Sequence, residues 1–357
     1  MRGIGMVGAL GQIGRSVQTA MLGKTAPPAD TENWVTVWQH GTLACLNESF
    51  DWSTMVSMRL AQDGGLARRD LRLSRIGDRI EAELPGEMGA AVCHDSVHRR
   101  TAAYVAQFDA AKEAQQMVVT LTDGHRPGNY RFSPSSPSPD VIPILDPYFM
   151  LRDGIRRADW VADKAPDWAD RDEALVWRGG PNGQGVISWD PAMTSTSGIM
   201  PRCRLVMMCR DTGVDAKFVY TGEHPESHLE PFFRKAGLIG DARDRMSWAH
   251  HRFALDIDGA SNTWDNFLTR LKLGCCVLKV DSAGGFRQWY YDRLQPWEHF
   301  VPVKADLSDL FEQYDWVRSN PSRARQIAAA GQAVAKAMTF EKEMTVAARL
   351  IEESSTT

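Results

Sequence analysis

Residues 71–84 alternate apolar and polar side chains on either side of Gly77 and Asp78. That period of two predicts a pair of strands joined by a tight turn. The Val-Thr-Val-Trp run at 35–38 reads as another strand, and the Ala- and Gln-rich stretch 101–117 as a helix. A β-branched run at 118–121 reads as the next strand, and apolar runs at 174–177, 205–208 and 217–220 as further ones. The clearest unit is 253–280. Residues 253–257 are a short apolar run ending in acids, and Gly259 permits a sharp turn. Ser261, Asn262 and Thr263 are suitable helix N-caps, and Trp264, Phe267, Leu268 and Leu271 follow at helical spacing. Gly274 falls where a C-cap glycine belongs. The unbroken apolar run 275–280 then predicts a strand buried on both faces. Residues 321–338 and 339–353 read as two closing helices. Strands alternating with helices predict an α/β fold with a parallel, Rossmann-like layer.

The chemistry gathers at strand ends. The 253–280 unit aims a helix start, with its unpaired N–H groups, at the carboxyl end of a strand, where a diphosphate binds well. Arg178 precedes Gly179, Gly180 and Gly183 at another strand end. Glycines let the backbone approach a ligand, and a guanidinium can grip a phosphate through two hydrogen bonds. Asp123 follows the 118–121 strand on a Gly- and Pro-rich loop, beside His125. On the residues alone it reads as a turn or cap. Gly8, Gly11 and Gly14 lack a preceding strand and the spacing of a dinucleotide fingerprint, so a helix over 12–22 is the plainer reading.

Composition narrows the class. The 357 residues are 43% hydrophobic and 24% charged, with net charge -4, which gives nucleic acid no electrostatic footing. The length suits two domains. No apolar run approaches the ~20 residues of a membrane span. The N-terminus carries no secretory signal pattern. The six cysteines form no C-x-x-C pair, which predicts reduced thiols and a cytoplasmic protein.

Three tracts carry a family likeness. They are Trp177-Arg178-Gly179-Gly180, the stretch 255–279, and Leu294-x-Pro296-Trp297-x-His299-Phe300-x-Pro302-Val303 followed by Asp306-Leu307-Ser308-Asp309-Leu310. Together they resemble glycosyltransferase family 90, from about 174 to 340, and look closest to its bacterial branch. That family holds capsule-associated glycosyltransferases, protein O-glucosyl- and O-xylosyltransferases, and bacterial lipopolysaccharide glycosyltransferases. The resemblance implies a GT-B architecture, two Rossmann-like domains facing a cleft. Residues 1–150 would be the acceptor side, 151–338 the nucleotide-sugar domain, and 339–357 a helix and tail crossing back to the first domain. It implies transfer from a UDP-sugar with inversion, glucose or xylose leading, and no cofactor besides the donor. Asp123 would be the general base. Arg178, Gly179, Gly180 and Gly183 would hold the diphosphate together with Asp258, Gly259, Ala260, Ser261, Asn262, Thr263, Trp264 and Lys279.

Asp256-Ile257-Asp258 has the form of a metal-holding pair, but the likeness points to basic groups and a helix start in place of metal. Trp264, Asp265 and Asn266 stand where eukaryotic relatives carry an arginine, leaving Arg270, Lys272 or Lys279 to supply the cation. Asp146, Arg152 and Asp153 either shape the acceptor site or are solvated charge. The aromatics of 289–297 either stack on the donor or pack a core. The implied acceptor is lipopolysaccharide or another surface glycan, lipid-linked forms included, with peripheral attachment at the inner membrane face as an extension. A protein acceptor, or a non-catalytic sugar-nucleotide or glycan binder, is the alternative.

Overall fold

The computed structural model describes residues 31–61, 66–67, 69–124, 126–220 and 227–355. The helix expected over 12–22, and His125, lie outside them. Two sheets organise the described chain. The first has six strands: β1 (Met55–Ala61), β2 (Asp70–Ile76), β3 (Arg79–Pro85), β4 (Gln116–Thr120), β5 (Phe132–Ser133) and β6 (Ile142–Pro143). Their order is β1-β3-β2-β4-β5-β6. β2 and β3 are the hairpin read from the alternation, and Gly77 takes the positive φ of 63° that its turn needs. β2 runs antiparallel to both neighbours, so this sheet is mixed and only partly Rossmann-like.

The strand expected at 35–38 is instead the first part of helix α1 (Thr31–Ser49). Trp38, Thr42 and Leu46 are fully buried four residues apart, so one helical stripe packs inward and overrides the strand preference of Val35 and Val37. The Trp38 indole donates to Thr101 on α2 (Asp95–Ala110) at 3.1 Å.

The second sheet is wholly parallel. Its strands are β7 (Val176–Gly179), β8 (Asp215–Phe218), β9 (Phe253–Asp256), β10 (Cys276–Val280) and β11 (Val301–Val303), in the order β11-β10-β9-β7-β8. All five residues of β10 are buried, as its unbroken apolar run requires. Residues 205–208, expected as a strand, end a helix instead. The short helices α3 (Pro147–Leu151) and α4 (Arg156–Ala162) precede β7, and α5 (Pro201–Met208) follows it. Pro201 opens α5 at a position where its missing N–H costs nothing. Leu205, Val206 and Met207 are buried, and a short apolar run cannot separate a covered helix from a strand.

After α6 (Glu230–Lys235) comes α7 (Asn266–Lys272), and three helices close the chain: α8 (Leu310–Ser319), α9 (Pro321–Ala337) and α10 (Phe340–Ser355). α10 packs on α2 and β4 of the first sheet. Its buried Glu343 accepts two bonds from Arg293 (2.8 and 2.6 Å) and one from the Trp289 indole (2.9 Å). The last helix is thus tied to both sheets. Tyr290 is fully buried and Trp297 is exposed, so the 289–297 aromatics are not uniformly core. Among the described residues no helix is long and apolar enough to cross a membrane.

Asp70, at the start of β2, is buried, and its carboxylate accepts the Asn129 N–H at 2.7 Å. Burial raises its pKa to about 6, against a smaller lowering by that N–H. A carboxyl with a raised folded pKa favours the fold when protonated. Its destabilisation is therefore full above about pH 6 and disappears as pH falls towards 3.8. Asp70→Asn keeps an acceptor for Asn129. The variant is expected to exceed the parent in stability by ~2 kcal/mol at pH 7.5 and to match it at pH 4. Urea unfolding at the two pH values checks this. A constant difference would remove Asp70 as the source.

Candidate functional site

In the parallel sheet the chain steps from β7 outward to β8, then crosses back to β9 on the other side. Strand order reverses between β7 and β9, and ligands of open α/β sheets settle outside the carboxyl ends at such a point. A cleft of about 450 Å³ opens there. Asp258, Gly259, Ala260 and Ser261, from the loop after β9, form one wall. Gln184 and Gly185 from the loop after β7, and Arg204 from α5, face them.

The loops are held from beneath by Arg202. Its guanidinium donates to the carbonyls of Asp258 (2.9 Å), Gly180 (3.2 Å) and Ile257 (3.2 Å), and to the Asn182 side chain. It also lies 5.6 Å over the Trp177 ring. A Cβ on Gly259 would come within 3.0 Å of that guanidinium, so the close approach needs glycine. Burial lowers the Arg202 pKa to about 10, although Asp258 and Asp256 pull it upward. Arg204 donates to the carbonyls of Thr194, Thr196 and Asp306. Carbonyls fix its position and leave its charge in place.

Beneath the cleft Asp256 is fully buried. It accepts from Arg270 at 2.5 Å, Lys279 at 3.0 Å and Thr263 at 3.1 Å. Lys279 also bridges to Asp258 at 2.8 Å. Burial works against the Lys279 charge, but Asp258 and Asp256 outweigh it and raise its pKa. The other Asp258 oxygen is buried with no hydrogen-bond partner. It belongs to a cleft-lining residue, and the chemistry it lacks is a donor such as a hydroxyl.

The helix expected from Trp264 starts later. Trp264 sits at φ 54°, outside helical space, and α7 begins at Asn266. Asn262 accepts the Trp264 N–H and Thr263 bonds Asp256, so these side chains brace the loop and do not cap α7. Asp265 precedes the helix, held by Arg152 (2.5 Å) and Arg245 (2.6 Å). Residues 259–264 are therefore a loop that closes on itself, the Gly259 N–H on the Asn262 carbonyl and the Trp264 N–H on the Asn262 side chain, and α7 is a helix of seven residues behind it.

Arg178 points elsewhere. Its guanidinium donates to the Asp215 carboxylate at 2.7 Å and to the carbonyls of Trp177, Asp215 and Asp241. It runs across to β8, outside the cleft lining. Arg204 is a cation of the cleft lining and Arg202 the cation beneath its loops, and neither belongs to the three sequence tracts. Their signal was two arginines, one directly after Pro201, just ahead of the apolar run 205–208.

Asp123 stands just past the carboxyl end of β4. Its Oδ1 accepts from Arg100 Nη2 at 2.8 Å, and Arg100 also donates to the Leu121 carbonyl. The Arg100 guanidinium lies 4.7 Å over the Trp264 ring, which meets Tyr148 edge-on at 5.2 Å. Asp123 of the first sheet and Trp264 of the loop after β9 are thus joined through one arginine. Asp146 is buried as the N-cap of α3, accepting from Tyr148 (2.7 Å) and Phe149 (2.8 Å). Burial, and then Asp265, raises its pKa to about 7. Arg152 reaches across to Asp265, whereas Asp153 pairs with Arg156 near solvent.

Residues 202–353 match the family model described as Glycosyl transferase family 90. Asp123 and the 178–183 tract lie ahead of the matched range. Human "Protein O-glucosyltransferase 3" is 31% identical over 127 residues, covering 35% of this chain and 22% of that protein. "Protein O-glucosyltransferase 2" of Danio rerio is 34% identical over 115 residues, covering 32% and 21%. "Uncharacterized protein 035R" of Invertebrate iridescent virus 3 is 39% identical over 92 residues, covering 24% and 8%. The chain thus spans about a fifth of the length of the two glucosyltransferases and less than a tenth of the viral protein. These relatives are animal and viral, and none speaks for a bacterial branch. Residues 202–353 carry a glycosyl transferase family 90 domain, homologous to protein O-glucosyltransferases.

Proposed function

We propose that the chain transfers a sugar from a UDP-sugar to an acceptor hydroxyl, with inversion at the anomeric carbon and two α/β halves facing one cleft in the GT-B manner. The observation that carries this reading is the Asp123–Arg100–Trp264 contact, which sets a strand-end carboxylate against the donor-side loop. The backbone of Ala260 and Ser261 and the charge of Arg204 meet the diphosphate, with Arg202 beneath the loops. Arg202, buried with only neutral hydrogen-bond acceptors, gains most from a nearby anion. The unpartnered Asp258 oxygen takes a donor hydroxyl.

In the transfer step the acceptor O–H gives its proton to Asp123 while its oxygen bonds the anomeric carbon. That carbon's bond to the UDP oxygen breaks, and the electron pair leaves on the diphosphate. Donors placed where this charge builds supply the larger share of the rate. Asp256 and Asp258 both spend an oxygen on Lys279, which supports a reaction without metal. Activity is expected to survive EDTA, and a loss restored by Mg²⁺ or Mn²⁺ would overturn that part.

Glucose or xylose is the proposed sugar. Lipopolysaccharide or another surface glycan, made at the cytoplasmic face, is one acceptor. A protein hydroxyl is the other, and the likeness to animal protein O-glucosyltransferases favours it. Side-by-side turnover of UDP-glucose and UDP-xylose, with saccharide and folded-protein acceptors, separates these. Arg204→Ala is expected to weaken UDP binding by about tenfold. Arg178→Ala is expected to lower the unfolding midpoint and leave UDP affinity within about twofold, because its partners are Asp215 and carbonyls. Calorimetric titration decides, and the reverse ranking would return Arg178 to the diphosphate.

A further inference from the structure

The run 133–139, Ser-Pro-Ser-Ser-Pro-Ser-Pro, has the composition of a loose linker. The fold buries its first half instead. Ser133 ends β5, and Ser133, Ser135 and Ser136 are all buried. Ser133 Oγ donates to the Ser135 carbonyl at 2.6 Å and accepts the Ser135 N–H at 3.3 Å. Side chains of the run thus supply bonds that a sheet would otherwise give. One end of the run holds Asp123. β4 and β5 are parallel neighbours, so the loops at their carboxyl ends lie side by side. The Ser135 hydroxyl donates to the Asp123 carbonyl at 2.9 Å. A Cβ on Gly124 would fall 1.8 Å from the Ser135 carbonyl oxygen, so the two loops meet only because residue 124 is glycine. Asp123 is gripped twice, its carboxylate by Arg100 and its carbonyl by Ser135.

The other end reaches the donor cleft. The Ser136 N–H donates to the Arg287 carbonyl at 3.1 Å, and the Arg287 N–H donates back to the Ser136 carbonyl at 3.0 Å. This antiparallel pair joins a loop of the first sheet to the loop after β10, whose Asp281, Ser282, Gly284 and Phe286 line the cleft. The Phe286 N–H is itself fixed, donating to Ser282 Oγ at 2.9 Å. Ser135 and Ser136 therefore stand between the carboxylate at 123 and the wall of the cleft.

We infer that Ser135 is a positioning residue for Asp123, and that the Ser136–Arg287 pair sets that carboxylate at one distance from the cleft and stays closed throughout turnover. The catalytic part rests on the transferase reading above. A misplacement of about 1 Å can cost about 10²-fold in rate, so the strut matters more to the proton step than to donor binding.

Variants of the full chain test the two ends. Ser135→Ala removes the hydroxyl, and it is expected to lower kcat by about 10–100-fold with donor KM and UDP affinity within about twofold. Added to Asp123→Asn it is expected to cost no further turnover, because its effect passes through the carboxylate. A full additional loss in that background, or parental kcat for Ser135→Ala alone, overturns the positioning role and leaves the transferase reading standing. The other end is tested independently of how Ser135→Ala folds. The Ser136–Arg287 pair is made by backbone, so both side chains are exchanged in Ser136→Cys with Arg287→Cys. Residues paired in this way stand about 5.5 Å apart at Cα, within reach of a disulfide. Mild oxidation is expected to link them, read by peptide mapping, and the linked protein is expected to turn over within about twofold of its own reduced form. Failure to link, or a loss of turnover on oxidation that reductant restores, overturns the closed strut. A linked protein, with neither it nor the parent turning over any UDP-sugar, supports the closed pair and overturns the transferase reading together with the role of Ser135.

Discussion

Asp123→Asn is expected to lower the turnover number of sugar transfer by about 10²–10⁴ while UDP affinity and the unfolding midpoint stay near those of the parent. The amide oxygen can still accept from Arg100, so the contact to Trp264 persists. What disappears is the site that receives the acceptor proton. Turnover at saturating donor, with UDP release counted in the presence and absence of acceptor, separates the proton step from donor binding. Transfer at the parental rate would end the assignment of Asp123. If only the acceptor KM changed, the residue would position the acceptor and not deprotonate it.

Asp256→Asn is expected to give the largest loss of stability, about 3–5 kcal/mol. Asp256 is fully buried and neutralises Arg270 and Lys279 at 2.5 and 3.0 Å. The amide keeps the shape and removes the charge, leaving two buried cations with Asp258 alone to balance them. Thr263 loses its charged acceptor at the same time, so the loop that carries 259–264 loosens and UDP binding should weaken too. Asp258→Asn provides the contrast. Lys279 retains Asp256 there, and the loss should be about half or less. Denaturant unfolding of the two variants reads both numbers. A loss below about 1 kcal/mol for Asp256→Asn would show that this network is not what holds the donor loop.

The sequence made some of this plain. The β2–β3 hairpin was legible because one face is buried and the other wet. β9, its glycine turn and β10 were legible because a fully covered strand leaves an unbroken apolar run. Asp123 could be set at a strand end because the β-branched run 118–121 leads into its Gly- and Pro-rich loop. What stayed hidden depends on partners far away in the chain. The direction of the Arg178 side chain is decided by Asp215 on the neighbouring strand, and nothing near residue 178 announces it. α1 carries strand-favouring Val35 and Val37, and only its burial against α2 and β1 makes it a helix. Arg202 and Arg204 carried no sign in the sequence of their place at the cleft, because the carbonyls that hold them lie 8 to 102 residues away. The late start of α7 turns on a left-handed Trp264, a position that local preference assigns to glycine or asparagine.

The Arg100 guanidinium has its edge on the Asp123 carboxylate and its face on the Trp264 indole. Arg100 and Asp123 both stand on the side of the first sheet, on α2 and just past β4, and only the indole comes from the loop after β9. A shear of one sheet against the other is therefore felt by the ring contact and not by the ion pair. The carboxylate keeps its arginine either way, and of the two partners Trp264 alone reports the register between the two sheets.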